Sequence, residues 1–418
     1  MTTESRSQAF PIDDVREAFP ALAMEDAGRA RVYLDNPAGT QVPRRVAEAA
    51  ADALLYRNAN LGGYFASSVE STHVVAQAHR DAALFLGARS EREVVIGPSM
   101  TSLTFEFSRS LGRNLKPGDE IVLTRMDHDG NVAPWLAIAE ERGATVRWVP
   151  FDRESWVVEP DALARELSPN TRVVALNYAS NLTGSINDVK TLAKLARDAG
   201  ALVYVDAVQF SPHDVTDVQS LGCDFLACSS YKFFGPHLGL VWGREDVLAR
   251  THAYKVRPSS NDLPWRFETG TPQIEQQAAL SATVGYFEWL GRSGAGSRRE
   301  SIEGAFAAAR AWETRLARNL VDGLLAIPGV TIHGITDPAR FASRVPTVSF
   351  THASKSPQSI AQALASEGIF VWSGHNYALE LVRSLGIDEK TGVVRIGLAH
   401  YNTPAEVERT LEALATIL

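Results

Sequence analysis

The segment Tyr204-Val205-Asp206-Ala207-Val208-Gln209 closes an apolar, β-branched run on a carboxylate, and open α/β sheets present ligand-facing side chains at strand C-termini. After the next apolar run comes Ser229-Ser230-Tyr231-Lys232-Phe233-Phe234-Gly235-Pro236, where a lysine is flanked by small hydroxyls and aromatics rather than by solvating charges. A lysine in such company is not a routine surface cation. Taken singly, Asp206 reads as a helix cap and Lys232 as a snorkelling side chain. In this order, at adjacent strand ends, they describe an amine that condenses with a carbonyl and an acid that holds a proton on a ring nitrogen.

Pyridoxal phosphate chemistry asks for that pair. The lysine forms the Schiff base, and an Asp opposite the pyridine nitrogen keeps the ring protonated and electron-withdrawing. The phosphate needs backbone N–H donors at a helix N-terminus and neutral hydroxyls that approach closely. Pro98-Ser99-Met100-Thr101-Ser102, ending one predicted strand and opening a helix, meets that need.

These motifs resemble the class V aminotransferase group of fold-type I pyridoxal phosphate enzymes, in its cysteine desulfurase and selenocysteine lyase branch. The resemblance runs from about Tyr33 to Tyr401. Besides the Asp206 and Lys232 segments it rests on Tyr33-Leu34-Asp35-Asn36, Asp127-His128-Asp129-Gly130-Asn131, Arg266-Phe267-Glu268-Thr269-Gly270-Thr271-Pro272 and Arg395-Ile396-Gly397-Leu398-Ala399-His400-Tyr401-Asn402. It implies that Lys232 carries the cofactor, Asp206 pairs with its ring nitrogen, Gln209 approaches the phenolic oxygen and Asn181 lies near the ring substituents. His128 would stack on the ring face and relay protons. Ser99, Met100 by its backbone alone, Thr101 and Ser229 would hold the phosphate. Gly270 and Thr271 would reach the phosphate of a neighbouring subunit, so that a homodimer completes the active site. Arg395 would grip a substrate α-carboxylate with its planar fork. An amino-acid substrate follows, with Asn36, Asn60 and Tyr377 as further expected contacts.

One departure from the family pattern bears on the reaction. A desulfurase takes sulfur onto a cysteine thiolate on a mobile loop, and the matching segment here is Trp372-Ser373-Gly374-His375-Asn376-Tyr377-Ala378. Tyr377 stands at the cysteine's place, and a phenol with a reference pKa of about 10 cannot accept sulfur as a persulfide. The chain's two cysteines, Cys223 and Cys228, lie far upstream; Cys228 is expected to be buried and inert on the strand feeding Lys232. The family's His-Arg-Gly at the substrate entrance is Asn60-Leu61-Gly62, and Tyr231 precedes the lysine where many members have His. The expected activity is therefore C–S bond cleavage by β-elimination, with Lys232 as the base at Cα and no protein persulfide. The alternatives are a true cysteine desulfurase or selenocysteine lyase using an external thiol, a class V aminotransferase or epimerase, and a non-catalytic relative that binds the cofactor. Retention of Lys232, Asp206, His128 and Arg395 together argues against the last.

The elements that must position these residues follow from pattern and composition. The chain has 418 residues, 45% hydrophobic and 22% charged, with a formal net charge of -8, which favours a small-molecule ligand over nucleic acid or an anionic membrane. Two cysteines, no zinc-like cluster and no long apolar run predict no metal site, no membrane span and a cytoplasmic protein. Apolar runs at 94–96, 121–123, 144–151, 173–176, 202–205, 225–227 and 238–242 alternate with helical stretches such as 72–86 and 189–199. That alternation predicts a mostly parallel seven-stranded α/β sheet. The expected division is an arm at 1–30 packing on the small domain, a large cofactor-binding domain at 31–292, and a smaller α+β domain at 293–418 beginning in the Gly/Ser-rich stretch after Leu290.

Overall fold

The computed structural model describes residues 10–291 and 296–418. Seven strands form the main sheet: β1 (Val94–Gly97), β2 (Glu120–Thr124), β3 (Thr145–Val149), β4 (Thr171–Asn177), β5 (Leu202–Asp206), β6 (Phe225–Ser229) and β7 (Gly239–Gly243). Their spatial order is β1-β7-β6-β5-β4-β2-β3. Only β7 runs antiparallel, to β1 on one side and β6 on the other. All residues of β1, β6 and β7 are buried, as strands covered on both faces must be, and this explains their unbroken apolar sequence. The parallel strands β5 and β6 end on Asp206 and Ser229, so both chemical segments emerge at one edge of the sheet.

The covering helices begin and end where local chemistry dictates. Helix Val189–Asp198 starts on Asp188, whose carboxylate accepts from the Thr191 N–H at 3.1 Å, and closes before Gly200 at φ +86°; that left-handed residue ends the helix at little steric cost. The helices nearest the site are α1 (Ala66–Leu86), α2 (Met100–Gly112), α3 (Ile274–Leu290) and α4 (Arg298–Leu325). A reciprocal capping box between Ser297 and Glu300 starts α4, satisfying two of the orphan donors there.

The smaller domain is a four-stranded antiparallel sheet of β8 (Val330–His333), β9 (Thr347–His352), β10 (Trp372–Gly374) and β11 (Val393–Gly397), in the order β8-β9-β11-β10. The sequence suggests one strand over 369–372, and the structure divides it. Ile369–Phe370 pairs in parallel with Val32–Tyr33, whereas Trp372–Gly374 pairs with β11. Val32 and Leu34 accordingly pack in the small domain's core with Leu316, Val348 and Ile396. The expected large domain therefore lends its first strand to its neighbour. The expected junction at 292/293 lies outside the described residues, as do the first nine residues of the arm. From Phe10 onward the arm spans both domains: Phe10 stacks on Trp312 at 5.2 Å, and Phe19 meets Tyr286 edge-on at 5.4 Å.

Candidate active site

A cavity of about 450 Å³ opens at the C-terminal edge of the main sheet, between it and the small domain. It brings together Lys232, Asp206, Gln209, His128, Asn181, Ser99, Met100, Thr101, Ser229, Arg395 and Tyr377 from the residues singled out in the sequence. Lys232 enters on the turn after β6; its Nζ donates to Pro37 O and, at 3.0 Å, to Ala38 O. Burial, reinforced by the Arg395 charge, lowers its pKa to about 7, so a neutral, nucleophilic amine is available near neutral pH.

Asp206 is buried at the cavity floor, where its Oδ1 accepts from the Val208 N–H at 2.9 Å. Burial raises its pKa to about 6, against the Val208 hydrogen bond and the Lys232 charge. A cationic N–H placed here would restore the carboxylate. Gln209 Nε2 donates to Thr347 Oγ1 at 3.1 Å, tying the strand end to β9.

His128 is fixed by its turn. Asp127 accepts from Asn131 Nδ2 at 2.7 Å and from Thr124 Oγ1, while the Gly130 N–H donates to His128 Nδ1 at 2.9 Å. That pattern assigns the ring hydrogen to Nε2. Burial, with Lys232 and Arg395 nearby, lowers the His128 pKa to about 3, leaving a flat, neutral ring.

Ser99 caps α2, its Oγ accepting from the Ser102 N–H at 3.1 Å. The Met100 and Thr101 N–H groups then have no intrahelical acceptor. Met100 buries its side chain beside Thr104, leaving its backbone for the turn. Strand β7 passes so close that a Cβ on Gly239 would stand 2.2 Å from the Ser99 carbonyl carbon; only glycine leaves this anion cradle open.

Arg395 is buried, yet its one side-chain hydrogen bond among the described residues runs from Nη1 to Asn181 O at 3.1 Å. Its Nε has no partner. The Asp35 carboxylate acts on this guanidinium through its charge but makes no hydrogen bond to it; a buried guanidinium held so weakly is costly, and a bound carboxylate would offset that. Asn181 also donates from Nδ2 to Asn376 O at 2.7 Å.

Four expected contacts lie elsewhere. Asn36 is buried in the small domain, where Nδ2 donates to Gly397 O at 2.8 Å and Oδ1 accepts from the Tyr401 hydroxyl, so its amide is spent on the core rather than on substrate. Asn60 is exposed and outside the cavity; its carbonyl accepts from Ser68 Oγ at 2.5 Å. Gly270 and Thr271 are exposed and border a separate cavity of about 250 Å³ together with Leu61 and Glu106. Sequence reasoning did not single out Phe105, Asn177 or the Pro37 and Ala38 carbonyls, all of which line the main cavity or hold Lys232. The last two follow directly on the Asp35-Asn36 motif, but backbone contacts carry no residue-type signature.

The profile of the family described as Aminotransferase class-V matches residues 32–410. The chain belongs to the class V aminotransferase family. Class V members are pyridoxal-phosphate-dependent enzymes, and this one is similar along its whole length to several. It is 34% identical to the aminotransferase-like protein FGM3 of Gibberella zeae, over 99% of this chain and all of the other. It is 30% identical to a cysteine desulfurase of Pectobacterium carotovorum, over 98% of both. The apo cysteine desulfurase of Thermococcus onnurineus superposes with a TM-score of 0.87 at 28% identity, covering 98% of each chain. The fold-type I architecture expected from the sequence is thus shown for this class V enzyme. Its residues fit the cofactor: the Gly239-lined cradle suits a phosphate, the buried Asp206 a ring cation, and the unpaired Arg395 a substrate carboxylate.

Proposed function

We propose that the chain is a pyridoxal phosphate enzyme that eliminates a sulfur substituent from Cβ of an amino acid without forming a protein persulfide. The observation that carries this reading is the pinned turn of Tyr377. Asn376 and Tyr377 both have positive φ, +51° and +58°, a conformation that costs non-glycine residues about 1–3 kcal/mol each unless held. It is held by the Asn181 side chain on Asn376 O and by the Asp129 N–H on Tyr377 O at 2.7 Å. Cys223 and Cys228 are fully buried, and burial raises both thiols above their usual range. Where a desulfurase would carry a thiolate on a swinging loop, this chain would present a phenol on a backbone turn held at both residues.

Bound pyridoxal phosphate would supply the electron sink that acidifies the substrate Cα–H. Lys232 would hold it and act as base at Cα, its depressed pKa matching neutral pH. Asp206 would hold a proton on the ring nitrogen, His128 would cover one ring face, and Gln209 and Asn181 would border the ring substituents. Ser99, Met100, Thr101 and Ser229 would bind the phosphate. Arg395 would orient the substrate through its carboxylate, while Tyr377 and Trp372 narrow the mouth against water. Incubation with L-cysteine, resolving pyruvate, alanine and the pyridoxamine form of the cofactor in one run, tests this. Pyruvate without alanine is expected. Alanine would instead mean desulfuration through an external thiol, and the pyridoxamine form transamination.

The enzyme is read as a homodimer. Leu55, Tyr56, Tyr64 and Phe65 are all more than half exposed, and Leu61 between them shares the second cavity with Gly270 and Thr271. An apolar patch beside an exposed Gly-Thr segment suits a two-fold partner whose phosphate lies opposite. Sedimentation velocity tests this, with a dimer expected. Among the described residues no helix is long and apolar enough to cross a membrane, and two unpaired thiols suit a reducing, cytoplasmic location.

A further inference from the structure

Away from the main cavity, a buried ion pair joins two stretches that the mechanism leaves unused. His79 on α1 is 1% exposed. Its Nδ1 lies 2.8 Å from Val75 O and its Nε2 2.7 Å from Glu268 Oε1. Both neighbours are acceptors, so each ring nitrogen presents a hydrogen, and the ring is an imidazolium against a carboxylate. Trp265 packs on it with ring centroids 4.7 Å apart. Burial alone would lower the His79 pKa, but Glu268 outweighs that and the net direction is upward.

The same Glu268 oxygen accepts from the Ile96 backbone N–H at 2.8 Å. Ile96 belongs to β1, which leads through Pro98 into the Ser99–Thr101 turn. Glu268, with its side chain 10% exposed, is followed at once by Thr269, Gly270 and Thr271, which are exposed. One carboxylate oxygen therefore ties the partner-facing segment to a rigid strand and to a charged ring in the helical layer.

We propose that His79 and Glu268 are positioning residues that hold the Gly270–Thr271 segment of one subunit against the cofactor phosphate of the other. The inference rests on the homodimer reading above. A charge-assisted bond fixes the first residue of a short exposed stretch, and a shift of an ångström there would misplace donors that must meet the phosphate at hydrogen-bond distance.

Two mixed dimers, assembled from differently tagged subunits, test this through cofactor release. The variant His79→Gln/Glu268→Gln removes both charges together, leaving no buried ion unpaired. In the first dimer one subunit carries Lys232→Ala plus the double variant and the other is wild type, so the remaining Lys232 site faces the altered segment. In the second, Lys232→Ala is on one subunit and the double variant on the other, so the remaining Lys232 site faces an unaltered segment. Both assemblies hold the same substitutions, and a general loss of stability would move them alike. Pyridoxal phosphate is expected to leave the first about tenfold faster than the second. Equal rates, or faster loss from the second, would overturn the proposal. Should the double variant not fold, His79→Gln alone, which keeps Glu268 on Ile96, serves in the same arrangements with the same reading. A monomeric wild-type chain would overturn the homodimer reading and the proposal with it, whereas a dimer with one common release rate would overturn the proposal alone.

Discussion

The rings of His128 and Tyr377 lie 5.4 Å apart and tilted by 31°, and the backbone N–H of Asp129, next to His128, donates to the Tyr377 carbonyl at 2.7 Å. The small domain's active-site turn is therefore fastened to the histidine turn of the large domain. Replacing the phenol by a thiol does not release that fastening. Tyr377→Cys is expected to gain no persulfide: intact-mass spectrometry after L-cysteine should show no added sulfur on the protein. Tyr377→Phe should stay within about twofold of wild type, because ring packing is retained, and a loss of about a hundredfold would instead mark the phenol as a proton donor.

Lys232 should be the sole point of covalent cofactor attachment. Borohydride treatment of the loaded Lys232→Ala protein is expected to leave no cofactor bound after denaturation, and elimination should fall by about a thousandfold or more. A stable adduct at another residue would show that the site is misplaced.

The lysine's depressed pKa of about 7 sets a pH dependence for cofactor capture. The neutral amine is the nucleophile, so capture of pyridoxal phosphate by the apo chain should accelerate as pH rises and level off above about pH 8. Arg395→Gln removes a neighbouring cation, which favours the charged amine and shifts the midpoint upward. Stopped-flow absorbance of the apo protein reads both curves, and an unshifted midpoint would count against the influence of the Arg395 charge on Lys232.

Arg395→Lys should separate binding from chemistry. An ammonium keeps the charge but loses the planar two-donor fork, so KM for an amino acid should rise about tenfold or more while kcat changes far less. A kcat loss with unchanged KM would place Arg395 outside the carboxylate grip.

Asp206 carries a cost in the apo chain. Its folded pKa of about 6 lies above the ordinary carboxylate value of 3.8, so the folded chain holds the proton more tightly than the unfolded one. Stability from this group is present at low pH, falls as pH rises between those values, and the full cost persists above them. Asp206→Asn keeps an acceptor for the Val208 N–H and removes the charge. The apo variant should melt about 2–5 °C higher than wild type at pH 8 and equally at pH 4, while losing activity with cofactor. Differential scanning calorimetry at both pH values checks this.

The sheet was legible because its strands are short apolar runs with no competing helical period, and Asp206 and Lys232 stood out as charged residues ending such runs. Asn36 misled because its motif is a real one: the chain does pass the site there, but Pro37 and Ala38 touch Lys232 through carbonyls while the Asn36 side chain turns into the core. Asn60 misled because a loop position says nothing of where a side chain points. The bond between His79 and Glu268 was invisible for another reason, although Glu268 lies in a recognised motif. They are 189 residues apart, and His79 sits among Ala78, Ala82 and Ala83 on a helix, where a lone histidine reads as an ordinary core residue.

The pairing of Val32–Tyr33 with Ile369–Phe370 makes the two domains topologically inseparable. The chain lays Val32–Tyr33 into the small domain, leaves it to build the whole main sheet, and returns to complete it. A fragment ending near Gly291 would carry away one strand of the other unit, and a fragment starting at Gly296 would leave Ile369–Phe370 with an open edge. Divided there, the halves should stay clasped together, and each should be insoluble or aggregation-prone when made without the other.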